Sequence, residues 1–412
     1  MKTRFVFIFS IITVISGHTF AQSHLTNGVW RGVITNQNHQ EIPFNFLVSD
    51  QSGKKHIAII NSTERFQVSD ISQKGDSVFI HMPLFDSEFR LKWQNDALVG
   101  KWIRHLGDHN DEMAFKATPN TPWRFLPTVR KQKVEDITGR WSATFVDADK
   151  KKDVTVGEFI QYGEKLTGTF REVTGDYRYL EGMVNGDQMY LSCFDGAHAF
   201  AFTGKIVGNK IVDGKFNSGL KGFYTWTAFK DANAKLPDAY SLTGLKRGYK
   251  TVSFSFPDLN GHKVSLNDKQ FKNKVVILQM MGSWCPNCMD ETNYFVSDYY
   301  KKYHSKGVEI IGLAYERTTD FKKSQHTLAQ LKQRFDMPYP ILVTGYTPAA
   351  GDQLKSLPQL ANFMGFPTTI IIDKKGNVAK IHTGFDGPGT GVHYTEFKKE
   401  FEGLTDKLLA EK

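Results

Sequence analysis

Apolar and polar positions alternate in short runs through the first half of the chain, and near residue 250 this pattern gives way to continuous apolar runs separated by stretches of helical spacing. Residues 22 to about 232 read as many short strands divided by Gly, Asn and Asp turns. Beyond them, 252–256 and 262–266 flank a Pro-Asp-Leu-Asn-Gly turn and predict a hairpin. The run 275–281 is almost wholly apolar, as in a strand buried on both faces of a sheet. A helix is expected over 286–304, then a strand at 308–314 and a helix bearing Phe321, Leu328, Leu331 and Phe335. A strand at 339–343, a helix over about 354–363, a strand pair at 368–372 and 378–381, and a last helix showing Phe397, Phe401, Leu404 and Leu408 complete the pattern. Strands alternating with helices and ending in a hairpin predict a mixed α/β sheet.

The β-rich part repeats. Gly28-Val-Trp30 is echoed by Gly139-Arg-Trp141, and Gly75-Asp-Ser-Val-Phe-Ile80 by Gly186-Asp-Gln-Met-Tyr-Leu191. The segment 95–102 returns at 208–216, and each unit closes on an aromatic strand, Met113-Ala-Phe115 and Tyr224-Thr-Trp226. A spacing near 111 to 114 residues marks a duplicated domain. Each copy has room for about eight short strands, enough to close a small up-and-down barrel. The Gly-x-Trp opening strand resembles that of lipocalins. Such repeats serve either as ligand- or partner-binding barrels or as a spacer. The join 119–127 is proline-rich and is expected to be extended and stiff. His105 and His109 lie four apart, but in strand and turn context they need not share a face, and no metal site is assigned.

The first residues stand apart from both patterns. Lys2 and Arg4 precede an apolar run over 5–15, and the segment ends in Thr19-Phe20-Ala21. A positive start, a short apolar core and a small final residue describe a secretory signal peptide. The run is short for a bilayer-spanning helix, which favours cleavage over retention as an anchor. The expected organisation is a signal peptide (1–21), two all-β barrel-like repeats (22–120 and 134–232), a linker (233–250) and an α/β domain (251–412). The net charge of +9 comes from scattered Lys and Arg. With no basic helix and no aromatic-basic platform, nucleic acid is not an expected partner.

Three cysteines occur: Cys193, Cys285 and Cys288. A secreted protein held by disulfides carries more, in even number, so one close pair plus one isolated cysteine points to redox work. Cys193, in a strand-like run, reads as a small buried hydrophobe. The pair lies in Met281-Gly-Ser-Trp284-Cys285-Pro286-Asn287-Cys288-Met-Asp-Glu291, directly after the apolar strand and at the start of a helix. There the first sulfur meets unpaired backbone N–H groups and the positive end of the helix dipole, both favouring the nucleophilic thiolate. Pro286 suits the first helical turn because its missing N–H would have no helical partner. Cys288, almost one turn on, shares an inner face with Phe295 and Tyr299 and is expected to be buried. Cys285 would attack a partner disulfide and Cys288 would resolve the mixed disulfide. Glu291, three residues further on, is a candidate base for Cys288. A zinc site would need two more ligands, and a purely structural disulfide closing so short a loop would restrict the unfolded chain little.

Together with Gly365-Phe366-Pro367-Thr-Thr-Ile-Ile-Ile-Asp373, this motif makes the segment from about Thr251 resemble the TlpA/ResA-type branch of the thioredoxin superfamily. The resemblance covers about two fifths of the chain and does not reach the β repeats. It implies a thioredoxin fold, a cis Pro367 facing the cysteines, and a Phe366 backbone and Trp284 that receive substrate. It also implies that the spacer residues Pro286 and Asn287 tune the reduction potential, and that no cofactor is needed. Three features depart from the family pattern. Proline stands first in the spacer, Gln279 replaces the buried acid of ordinary thioredoxins, and Phe366 is bulkier than the small residue often found before the cis proline. The expectation is a periplasmic or cell-envelope protein-disulfide reductase, rereduced by a membrane thiol carrier and acting on protein disulfides. The direction, reductase or oxidase, stays open. The alternatives are a peroxiredoxin-like activity, although Gly282 stands where such enzymes need threonine, and a binding protein working through its β repeats.

Overall fold

The computed structural model describes residues 25–106, 109–128 and 134–411; the expected signal peptide and residues 129–133, just after the join, lie outside them. The first repeat consists of β1 (Gly28–Thr35), β2 (Glu41–Gln51), β3 (Lys54–Asn61), β4 (Glu64–Val68), β5 (Asp70–Lys74), β6 (Ser77–His81), β7 (Ser87–Gln94), β8 (Ala97–His105) and β9 (Asn110–Pro119). They form one antiparallel ladder in the order β4-β3-β2-β1-β9-β8-β7-β6-β5. The second repeat consists of β10 (Gly139–Val146), β11 (Lys152–Tyr162), β12 (Lys165–Glu172), β13 (Gly175–Asp176), β14 (Leu180–Asn185), β15 (Gln188–Phe194), β16 (Ala199–Val207), β17 (Lys210–Ser218) and β18 (Gly222–Lys230). Here β11 pairs with β12 as well as with β10, so eight strands close into a ring. Closure needs sharp curvature, and neighbouring strands approach closely where side chains are missing. A Cβ on Gly168 would stand 2.2 Å from the Glu158 carbonyl oxygen.

The duplication is exact in register. In the first copy Trp30 lies opposite Pro119 and Ile34 opposite Phe115; in the second Trp141 lies opposite Lys230 and Phe145 opposite Trp226, each 111 residues on. Both opening tryptophans are fully buried, and each donates its indole N–H to the carbonyl four residues back, Thr26 at 2.9 Å and Ile137 at 2.8 Å.

The two copies are not separate bodies. Phe194 of β15 enters the core of the first repeat, stacking on Phe44 at 4.4 Å and meeting Trp102 edge-on at 5.0 Å. Ser192 donates to the Pro43 carbonyl, and Asn61 donates to that of Phe194. The proline-rich join carries Arg124, whose buried guanidinium donates to the carbonyls of Ile60 and Ser192. The join is therefore a cross-link between the repeats, which its composition did not reveal.

The α/β domain opens with the hairpin β19 (Ser255–Pro257) and β20 (Lys263–Ser265). Its five-stranded sheet has the order β23-β22-β21-β24-β25, built from β21 (Val275–Met281), β22 (Val308–Ala314), β23 (Ile341–Val343), β24 (Thr368–Ile372) and β25 (Val378–Thr383). The first three are parallel, β24 runs antiparallel to them, and β25 antiparallel to β24. Alternate residues of the central β21 feed two cores. Val275, Ile277 and Met281 face one with both cysteines of the pair, and Val276, Leu278 and Met280 face the other. Helix α1 (Pro286–Tyr294) continues through a π turn (Phe295–Tyr299) into α2 (Tyr300–Tyr303). Helices α3 (Phe321–Phe335) and α5 (Val392–Ala410) match their predicted faces. The helix expected over about 354–363 is instead the short α4 (Asp352–Ser356). Pro358 has no N–H to continue it, and Leu357 leaves helical geometry at φ −126°, ψ 78°.

Candidate active site

The chemistry gathers where β21 runs into α1. Cys285 is the N-cap of α1, and its sulfur accepts from the Cys288 N–H at 3.2 Å. Cys285 and Cys288 are joined in a disulfide. Cys288 is fully buried with Phe295 and Tyr299, whereas Cys285 keeps 5% of its surface. Pro286 occupies the first helical turn. The Phe366–Pro367 peptide is cis. The Phe366 ring packs edge-on against Trp284 at 5.5 Å and touches Tyr315 and Phe363, so it caps the aromatic corner beside the cysteines.

The loop before Cys285 is pinned from the end of β22. Ser283 donates its N–H and its hydroxyl to the Glu316 carboxylate at 2.8 and 2.6 Å, and the Trp284 indole donates to the Tyr315 carbonyl at 2.8 Å. Trp284 folds back over Gly282, where an added Cβ would stand 2.1 Å from its indole nitrogen.

Glu291 lies one turn beyond Cys288 and is fully buried. Gln279 is the one polar residue on the cysteine-facing side of β21. It donates to Glu291 Oε2 at 2.9 Å, while Thr369, two residues past the cis proline, donates to Oε1 at 2.6 Å. Burial pushes the Glu291 carboxyl up to about 7, and the two neutral donors offset only part of that desolvation. The three motifs of the sequence thus meet at one carboxyl group. The roles of Gln279 and Thr369 as its partners were not foreseen, although Gln279 interrupting an apolar strand was a visible signal.

Residues 232–396 match the Redoxin family. The C-terminal domain, which carries this match, is similar to thiol-disulfide oxidoreductases. The chain is 26% identical over 187 residues to the thioredoxin-like protein YneN of Bacillus subtilis (strain 168), covering 45% of this chain and 91% of that protein. It is 31% identical over 131 residues to the thiol-disulfide oxidoreductase ResA of Bacillus cereus (strain ATCC 10987 / NRS 248), covering 32% of this chain and 66% of that protein. A thiol:disulfide interchange protein from Chlorobium tepidum TLS aligns at 21% identity and a TM-score of 0.30, over 40% of this chain and all of that one.

Around this domain the second β repeat contributes a strap, residues 172–179, which no sequence signal marked. The Asn287 amide donates to the Thr174 carbonyl at 3.4 Å. A Cβ on Gly365 would stand 2.5 Å from Thr174 Cγ2, and one on Gly384 2.5 Å from the Val173 carbonyl oxygen. Asp176 accepts from the Gly387 N–H at 2.8 Å. Arg178, buried, pairs with Asp290 of α1, with Glu64 of the first repeat at 2.6 Å and with Asp195 of the second at 3.3 Å. Arg171 forms a bidentate pair with Asp386 at 2.8 and 2.9 Å. Cys193 is buried and free, and desolvation pushes its thiol well up, away from the thiolate. His105 serves the first repeat, meeting Asn110 at 2.9 Å and Glu88 at 3.4 Å.

Proposed function

We propose that the protein is an exported protein-disulfide reductase working through a mixed disulfide on Cys285. The supporting observation is the cysteine pair itself: one sulfur caps the α1 N-terminus, the other is buried beneath it, and both share a core with the ring of Phe366 before the cis proline. In the reduced protein the Cys285 thiolate attacks one sulfur of a partner disulfide and expels the other as thiolate. Cys288, deprotonated with help from Glu291, then attacks Cys285 Sγ. That step releases the partner's second thiol and leaves the Cys285–Cys288 disulfide. Two electrons pass to the partner, and a membrane dithiol carrier returns two by the same exchange in reverse. In this reading Trp284 and the Phe366 backbone receive the substrate chain beside Pro367, and Pro286 and Asn287 set the potential.

Export rests on the leader-like residues 1–21. Reductase rather than peroxidase chemistry is favoured by Gly282, because the Trp284 ring leaves no room there for a threonine side chain. The test is dithiol-driven reduction of a protein disulfide. Cys288→Ser is expected to accumulate partners covalently bound through Cys285, seen as reducible adducts on gels. Activity of the wild-type order in Cys285→Ala overturns the proposal.

A further inference from the structure

The strap occupies one side of the oxidoreductase site, against Asn287, Gly365 and Gly384. On the side of Trp284 lies a cleft of about 1190 Å³ between the first β repeat and α3, larger than the usual small-molecule pocket. Its floor is apolar, with Met82, Leu84, Phe85, Trp284 and Leu331. Because Trp284 also stands edge-on to Phe366, the cleft ends at the cis-proline corner.

Its walls are cationic. Arg104 comes from the first repeat, and Arg317, Lys322, Lys323 and Arg334 from the oxidoreductase domain, against two lining carboxylates, Asp86 and Glu316. Glu316 is already engaged by Ser283, and burial pushes its carboxyl up, towards the neutral form. Arg317 lies over the Trp284 ring at 5.4 Å. Arg104 has Asp111 at 3.7 Å, yet burial first, and the Arg317 charge as well, lower its pKa. Lys322, Lys323 and Arg334 are exposed and have no ion-pair partner among the described residues. Like charges converge from two domains on one space, and three of them are unpaired among the described residues, which leaves a demand for an anion that the chain meets only in part.

We infer that this cleft is the docking site for the substrate polypeptide, and that the disulfide presented to Cys285 belongs to an acidic segment whose carboxylates meet Arg104, Arg317, Lys322, Lys323 and Arg334. The inference rests on the reductase reading and specifies its substrate class. It is tested on the full-length reduced protein with three disulfide-bridged peptides of equal length, flanked by acidic, neutral or basic residues. The acidic peptide is expected to be reduced with kcat/KM about tenfold or more above the basic one at low salt, the gap closing as salt rises. In the variant Lys322→Glu/Lys323→Glu/Arg334→Glu, whose substitutions are all at exposed positions, the preference inverts. Equal, salt-independent rates for all three peptides overturn the inference and leave the reductase reading standing. No reduction of any peptide overturns that reading itself.

Discussion

Glu291 carries the largest chemical consequence of a single position. Its folded pKa of about 7 lies above the reference of 4.5, so the folded protein holds a proton that the unfolded chain has lost between those values. Stability from this group is therefore greatest below pH 4.5 and falls as pH rises through 7, by about 3 kcal/mol in all. Glu291→Gln removes the charge, keeps one oxygen to accept from Gln279, and turns its NH2 to the Thr369 hydroxyl, which can accept. Urea melts are expected to show the variant more stable than wild type at pH 8 and nearly equal to it at pH 5. If the carboxylate takes the Cys288 proton, the same substitution slows turnover about 100-fold and removes an inflection near pH 7 from the rate profile. Attack by Cys285 on a partner persists.

At the scale of elements, the two β copies diverge after their third strand, and that place faces the cysteine pair. In the first copy the chain after β3 turns back as β4. In the second the matching residues shrink to the two-residue β13 and extend into the strap. Arg178 holds this divergence together by gathering carboxylates from both repeats and from α1. Arg178→Met leaves the buried Asp195 and the half-buried Glu64 and Asp290 without their shared cation, an expected cost of about 3–5 kcal/mol. The check is the denaturant midpoint. Alkylation of reduced Cys285 should quicken as the strap loosens, whereas a midpoint unchanged from wild type would show that the clamp contributes no stability.

Across the whole molecule, the β repeats and the α/β domain share surfaces rather than a flexible tether. Phe194 of the second repeat fills the core of the first, so Phe194→Ala is expected to cost about 3–5 kcal/mol. It is also expected to destabilise both repeats in a single transition, followed by circular dichroism and tryptophan fluorescence. Two separate transitions would mean that the repeats fold independently. The same shared surfaces create the cationic cleft, since Arg104 and Arg317 come from different domains.

Much of this was legible in the chain because it is local. Alternation at period two marks the strands, the 111-residue echo marks the duplication, and the burial of a nearly all-apolar run marks β21 at the centre of its sheet. The cysteine pair at a helix start and the Phe366-Pro367 turn were legible for the same reason, since backbone geometry at those points depends on near neighbours. Pro358 shows the limit even locally, where helical spacing over 354–363 outweighed a breaker that was in plain view. The strap, the Arg124 and Arg178 clamps, the Phe194 plug and the cleft beside Trp284 join residues up to 211 positions apart or more. Their partners are chosen by how three folded bodies fit together, and a charge or an aromatic ring carries no mark along the chain of the surface it will meet.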